Sequence, residues 1–247
     1  MDAISISGAC KSFGPKRAVK DLDLAVPAGT LFGLVGPNGA GKTTTLSMLC
    51  GILQPDSGTF TVNCHDMWLD PVAAKANLGV LPDGLRLFDR LTGQEFISYT
   101  AQLRGMDVNL AEERSQELLT VLGLADSADT LICDYSAGMT KKVAFASALV
   151  HGPTVVVLDE PFESVDPVSG ETIREILRGF VRSGGTVVLS SHVMELVEAL
   201  CDHVAVLADG ELLISGQTDE VRAGTSLQER FVDLVGADRK LGELSWL

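Results

Sequence analysis

Paired cysteines are missing from this 247-residue chain: its five cysteines stand at 10, 50, 64, 133 and 201, with no C-x-x-C among them. Neither a zinc site nor a disulfide framework is therefore suggested, and reduced thiols are the expectation. Long apolar runs are missing too. The longest, such as residues 155–158, fall far short of the roughly 18 apolar residues that a membrane-crossing helix needs. The N-terminus shows no charged-then-apolar targeting pattern, so the chain is expected to stay on the side of the membrane where it is made. Positive charge is scarce, with 19 Lys and Arg against 33 Asp and Glu and a formal net charge of −14. Phosphate backbones and anionic lipid surfaces are held by basic patches, which argues against nucleic acid as the main partner and against adhesion to lipid by charge alone. There is no internal repeat, low-complexity tract or heptad run.

What the chain does have is apolar content. At 46% hydrophobic it can fill the core of one large domain, or of one domain carrying an inserted subdomain. Short strand-like runs at 3–6, 22–26 and 31–35 are separated by turn residues, Phe13-Gly14-Pro15 and Pro27-Ala28-Gly29. One helix-like run, 46–53, interrupts them. From 91 to 150 the periodicity becomes helical and opens on Thr92-Gly93-Gln94-Glu95, a capping box in which Thr92 and Glu95 satisfy each other's backbone donors. After His151 strand-like and helix-like runs alternate: 154–158, 168–181, 186–189, 193–200 and 203–207. That grammar predicts βαβ units with a parallel sheet. Asp166-Pro167 reads as an N-cap with proline at the first helical position, and Gly184-Gly185 as the stop of the same helix. The tail from 217 reads as a turn and one amphipathic helix, 227–235.

Chemistry enters at Gly36-Pro37-Asn38-Gly39-Ala40-Gly41-Lys42-Thr43-Thr44, between a strand-like and a helix-like run. Glycines at 36, 39 and 41 let successive backbone N–H groups turn inward around phosphate oxygens, and the following helix aims its positive end at the same anion. Lys42 is placed to reach β and γ phosphates, and Thr43 to offer a hydroxyl to the Mg²⁺ that a nucleoside triphosphate carries. A second apolar run, 154–158, ends in Asp159-Glu160. At the C-terminal edge of a parallel sheet strand ends converge on the ligand crevice. Asp159 is expected to hold Mg²⁺ through water, and Glu160 to orient or deprotonate the attacking water. Ser190-Ser191-His192 brings an imidazole to the same edge.

The ordered set GPNGAGKTT, YSAGM (135–139), VVVLDEP (155–161), SVD (164–166) and SSH (190–192) resembles the ATP-binding subunits of ABC transporters over nearly the whole chain. The resemblance implies an α/β fold of the P-loop NTPase kind. Its RecA-like parallel-sheet core carries an N-terminal antiparallel β subdomain and an inserted α-helical subdomain. Residues 1–82 and 150–216 would form the core with its β subdomain, 83–149 the helical signature subdomain, and 217–247 a C-terminal extension. It implies ATP and Mg²⁺ as cofactors, with Ser136 and Gly138 binding the γ-phosphate of ATP held by the other subunit of a dimer. His192 would be the switch histidine at the γ-phosphate. Asp166 would belong to a loop that communicates across the dimer, and Phe13 would stack on adenine. The partners implied are a second ATP-binding subunit, identical or a paralogue, and a separate membrane-spanning transporter subunit at the cytoplasmic face of the membrane.

The chain departs from the pattern in places. Relatives commonly carry glutamine where this chain has Asp83, which is shorter and charged and is read as a contact on the Mg²⁺ side. Ala137 replaces a glycine and Met139 a glutamine. Because Glu160 and His192 are both present, hydrolysis is expected rather than binding alone. The layout looks more like exporters of drugs or lipids than nutrient importers. A soluble ABC-type ATPase in cofactor assembly, without a transport role, stays open as the alternative. No N-K-x-D motif points to a GTPase.

Overall fold

The computed structural model describes residues 1–236. An antiparallel hairpin opens the chain, β1 (Asp2–Phe13) with β2 (Lys16–Pro27), turning at Gly14 with φ 57°. β3 (Leu31–Val35), α1 (Lys42–Leu49), β4 (Ser57–Val62), the two-residue β5 (His65–Asp66), α2 (Pro71–Ala76) and β6 (Leu78–Leu81) follow. Three helices come next: α3 (Gly93–Leu103), α4 (Val108–Val121) and α5 (Ala137–Leu149). The chain then alternates through β7 (Val155–Asp159), α6 (Pro167–Arg182), β8 (Thr186–Ser191), α7 (Met194–Leu200) and β9 (His203–Ala208). It closes with β10 (Glu211–Gln217), α8 (Thr218–Arg222) and α9 (Leu227–Gly236).

Four strands form an antiparallel sheet in the order β2-β1-β4-β5, and six form a second sheet in the order β10-β9-β3-β8-β7-β6. In the second sheet β9, β3, β8, β7 and β6 run parallel, and only the edge strand β10 is antiparallel. Successive residues of a strand point to opposite faces. Leu31 and Val35, Val156 and Leu158, Val187 and Leu189, and Val204 and Val206 join one core with the helices. Phe32 and Leu34, Val155 and Val157, Val188, and Ala205 and Leu207 join another with the first sheet and α1. A parallel sheet buried on both faces reads as continuous apolar runs, which is why these strands are legible in the sequence.

This is the α/β architecture that the resemblance implies, with an antiparallel sheet first and a parallel sheet after it. Several bounds differ from the sequence expectation. β1 and β2 are 12 residues each, longer than the apolar stretches within them, because alternation with polar residues and register shifts carries the pairing to the turn. α1 begins at Lys42 rather than at Leu46 and stops at Leu49, since Gly51 takes φ 65° and ends it. α2 and β10 were not expected. The capping box is present, with Thr92 Oγ1 accepting from the Glu95 N–H at 3.1 Å and Glu95 Oε2 accepting from the Thr92 N–H at 2.8 Å. Asp166 caps α6 by accepting from Val168 and Ser169 N–H, and Gly184 follows the helix at φ 95°. The end of the expected C-terminal extension, 237–247, lies outside the described residues.

Candidate functional site

Space denied to a side chain shapes the loop between β3 and α1. Gly36, Gly39 and Gly41 have φ of 155°, 85° and 104°. A Cβ on Gly36 would lie 2.2 Å from the Leu207 carbonyl oxygen, and one on Gly41 2.5 Å from that of Ala18. The backbones of β9 and β2 therefore press on the loop from either side. The Gly210 N–H donates to Ala40 O at 3.0 Å, and the Ala40 N–H to Pro37 O at 3.1 Å. Gly41 caps α1 without any side-chain bond, so the first-turn N–H groups of the helix stay available to an anion.

Lys42 is 6% exposed. Its Nζ donates to the carbonyl oxygens of Gly36 at 2.7 Å and Pro37 at 3.3 Å and stands 4.0 Å from Glu160 Oε1. Burial pushes this ammonium below its ordinary range, and the charges of Glu160 and Asp159 oppose the shift. Thr43 beside it is exposed and Thr44 half-buried.

Asp159 closes β7 and is buried, accepting a hydrogen bond at Oδ1 from the Ser190 hydroxyl. Glu160 leaves the strand at φ 48°, the left-handed region that non-glycine residues seldom occupy. Its Oε1 lies 3.0 Å from His192 Nδ1, the imidazole delivered by the chain just after β8. A buried lysine, a carboxylate and an imidazole are thus strung together by contacts of 4.0 and 3.0 Å.

Lys42, Glu160 and His192 line a cleft of about 480 Å³, whereas Asp159 is not among its lining residues and sits buried behind Glu160 at the end of β7. Phe13, Asn38, Gly39, Ala40, Gly41, Lys42, Thr43, Thr44, Asp83, Glu160 and His192 all face it, while Gly36 and Pro37 contribute the carbonyls that hold Lys42. Phe13 is half exposed with Lys11 Nζ 5.8 Å from its ring centre. Ser136 and Gly138 are not brought into this cleft. They stand at the start of α5, where Ser136 Oγ accepts from the Met139 N–H at 3.3 Å and a Cβ on Gly138 would come within 3.1 Å of the Ser164 carbonyl oxygen. Ala137 and Thr140 of α5 share a neighbouring groove of about 350 Å³ with Asp83 and Glu163, two residues that also line the cleft.

Lys16 and Glu163 line the cleft without having been singled out in the sequence. Lys16 was within reach of a hairpin argument, since the turn at Gly14-Pro15 pairs it with Phe13. The donor set fits a magnesium nucleotide: an ammonium and helix N–H groups for phosphate, and the Thr43 hydroxyl with carboxylate oxygens for a hard cation. Among the described residues no group of three or more His, Cys, Asp and Glu could hold a metal by itself.

A family model described as ABC transporter matches residues 19–163. The daunorubicin/doxorubicin resistance ATP-binding protein DrrA of Streptomyces peucetius is 37% identical over 221 residues, which is 90% of this chain and 67% of that protein. The linearmycin resistance ATP-binding protein LnrL of Bacillus subtilis is 35% identical over 206 residues, 83% of this chain and 66% of that one. The chain thus spans about two thirds of the length of these curated relatives. A solved ATP-binding subunit of an ABC transporter superposes with a TM-score of 0.88 at 26% identity, covering 94% of this chain and 99% of the other.

Proposed function

This chain belongs to the ABC transporter family, and from that premise we propose that it is an ATP-hydrolysing subunit which pairs around ATP and drives a separate membrane-spanning subunit of an exporter. The observation that carries the catalytic reading is the position of Glu160. Its carboxylate is held between a buried Lys42 and His192, next to the phosphate loop.

Lys42, Asn38, Thr44 and the N–H groups left free along the loop from Gly36 to Gly41 bind the phosphates, and Phe13 offers its half-exposed ring to the adenine. Thr43, Asp159 and Asp83 supply oxygens on the Mg²⁺ side. Bound Mg²⁺ neutralises charge that builds on the phosphate oxygens. The Glu160 carboxylate takes the proton of the attacking water, and His192 both orients that carboxylate through its contact with Oε1 and contacts the γ-phosphate. Ser136 and Gly138 complete the site of a second subunit, with the N-terminal end of α5 directed at its γ-phosphate. The division proposed is a nucleotide-binding core with its β subdomain over 1–82 and 150–216, a helical subdomain over 83–149 and an extension from 217.

For the membrane partner we assign the helical subdomain between Asp83 and Arg104. A groove of about 800 Å³ lies there, lined by Phe88, Leu91, Tyr99 and Gln102 among others. Phe88 is 56% exposed and meets Phe96 and Tyr99 edge-on at 5.9 and 6.1 Å. Exposed aromatics at the edge of a groove are the composition of a protein-binding surface. Among the described residues no helix is long and apolar enough to cross a membrane, so contact with the bilayer is assigned to the partner. Within the exporter reading, drugs are the cargo supported by the two relatives, whose names carry resistance to daunorubicin, doxorubicin and linearmycin.

Glu160→Gln should retain ATP binding, lose about 10²- to 10⁴-fold in turnover, and accumulate a dimer with ATP. Brisk phosphate release by that variant overturns the assignment of Glu160. Pulled down from detergent-solubilised membranes with ATP and Mg²⁺, the same variant is expected to bring a polytopic membrane protein with it. Soluble partners alone, relative to a Lys42→Ala control, would exclude the transport role.

A further inference from the structure

One hydroxyl ties together the two adjacent acidic residues at the end of β7. β7 and β8 pair in parallel with Asp159 opposite Ser190, so both side chains stand on the same face of the sheet. Ser190 is fully buried and Asp159 is 3% exposed. The Glu160 N–H reaches Ser190 Oγ at 3.0 Å. A backbone N–H can only donate, so Ser190 Oγ accepts there, and its own proton goes to Asp159 Oδ1. The direction of both bonds is therefore fixed by chemistry rather than chosen.

Two consequences follow for the site. With Oδ1 engaged, the Asp159 carboxylate is held in one orientation and Oδ2 is the oxygen left for another ligand. The bond to the Glu160 N–H holds the main chain as it enters the left-handed conformation at φ 48°. That conformation sets where the Glu160 side chain goes, 4.0 Å from Lys42 Nζ and 3.0 Å from His192 Nδ1.

We propose that Ser190 is a positioning residue for ATP hydrolysis, holding the metal-side carboxylate of Asp159 and the base Glu160 in mutual register through one hydroxyl. The proposal rests on the reading of those two acids given above. It separates binding from turnover: nucleotide is gripped by the loop around Lys42, whereas the Ser190 hydroxyl bonds to Asp159 and to the Glu160 N–H, so metal use and proton abstraction depend on the geometry that Ser190 sets.

Ser190→Ala, Ser190→Thr and Glu160→Gln are compared with the unaltered chain in steady-state hydrolysis, in the Mg²⁺ concentration giving half the maximal rate, and in titration with a fluorescent ATP analogue with and without Mg²⁺. For Ser190→Ala the expectation is a loss of about 100-fold in kcat with KM changed by less than about threefold. Its Mg²⁺ requirement should rise about tenfold while metal-free nucleotide binding stays put, the size of effect seen when a group that orients a metal ligand is lost. Ser190→Thr keeps the hydroxyl and should recover to within about fivefold in kcat. A Ser190→Ala chain within about twofold of the original in both kcat and Mg²⁺ requirement overturns the proposal. So does equal impairment of the Ala and Thr variants with weakened metal-free binding, which would make packing the cause. Should Ser190→Ala not fold, Ser190→Cys, of similar volume with a weak donor, takes its place under the same thresholds. Undiminished turnover by Glu160→Gln would remove the underlying reading, whereas an inert Glu160→Gln beside an unaffected Ser190→Ala removes only the role of Ser190.

Discussion

The end of β7 and the start of α5 are both directed at phosphate in the proposed assembly, and they are built in opposite ways. At β7 each charged side chain has a partner inside the chain: Asp159 is buried against Ser190, Glu160 sits between Lys42 and His192, and Lys42 is held by two carbonyls. At α5 Ser136 and Ala137 are exposed and Gly138 is half-buried, and the side-chain bonds at the helix start stay within its first turn: Ser136 Oγ accepts from the Met139 N–H and the Thr140 hydroxyl donates to Ser136 O. One half of the phosphate machinery is preorganised within a subunit. The other presents its donors to solvent, as a surface must when its ligand arrives on a second subunit.

Damage to the two halves should therefore have different signatures. The largest effect is expected from Gly36→Ala, because the new Cβ would meet the Leu207 carbonyl oxygen at 2.2 Å and the residue sits at φ 155°. Backbone cannot give way as a flexible side chain can, so a loss of about 3 kcal/mol in stability is expected, read from urea unfolding, together with loss of nucleotide binding. Next comes Lys42→Ala, which should weaken nucleotide binding by about 10- to 100-fold, seen in a titration on the isolated chain. Retained affinity there would break the comparison at its packed half.

Ser136→Ala should do less to the monomer and more to the pair. Removing the cap should cost about 1 kcal/mol of stability and leave nucleotide binding by the lone subunit intact. ATP-dependent dimerisation, followed by light scattering, should be lost. A Ser136→Ala chain that binds nucleotide poorly as a monomer would show that the two regions act within one subunit, contrary to the reading here.

The smallest effect asks what burial does away from either half. His151, whose Nε2 contacts Leu78 O at 3.3 Å, has its pKa pushed down to about 4, by burial first and by Arg104 and Arg114 in addition, against the pull of that carbonyl. Its folded pKa lies below the ordinary 6.5, so the unfolded chain takes up the proton first as pH falls. Stability present at pH 7 is then lost progressively from about pH 6.5 down through the folded value. His151→Gln should flatten that slope by about 1 kcal/mol between pH 7 and 5, a figure already reduced for the ring's partial exposure.

The packed half was the legible one. Gly36 to Thr44, Asp159-Glu160 and His192 announce themselves because phosphate chemistry leaves few residue types at those spacings, and the strands that carry them are continuous apolar runs. The helix caps at Thr92 and Asp166 were legible for a related reason, since capping is a local bond between neighbours in sequence. What stayed hidden depended on contacts between distant segments. β10 alternates half-buried and exposed residues along an edge and carries Ser215, Gly216 and Gln217, so nothing in it reads as a core strand. α1 begins four residues before its first leucine because the loop and helix share Lys42, Thr43 and Thr44. Ser190 was quoted in a motif, but its bond to Asp159 exists only because β7 and β8 lie in register.

The left-handed turn at Glu160 has a meaning for descent as well as for chemistry. A glutamate at φ 48° carries about 1–3 kcal/mol of conformational cost that glycine would not, and asparagine or aspartate would carry less of it. The residue proposed as the base is thus held at a place where a silent replacement folds more readily. A duplicated copy relieved of turnover, yet still needed to complete the partner's site through Ser136, would drift toward such residues under selection for folding alone. Inactivity would come to it as a gain in stability, and inherited pairs with one live and one silent site are the expected residue of that drift.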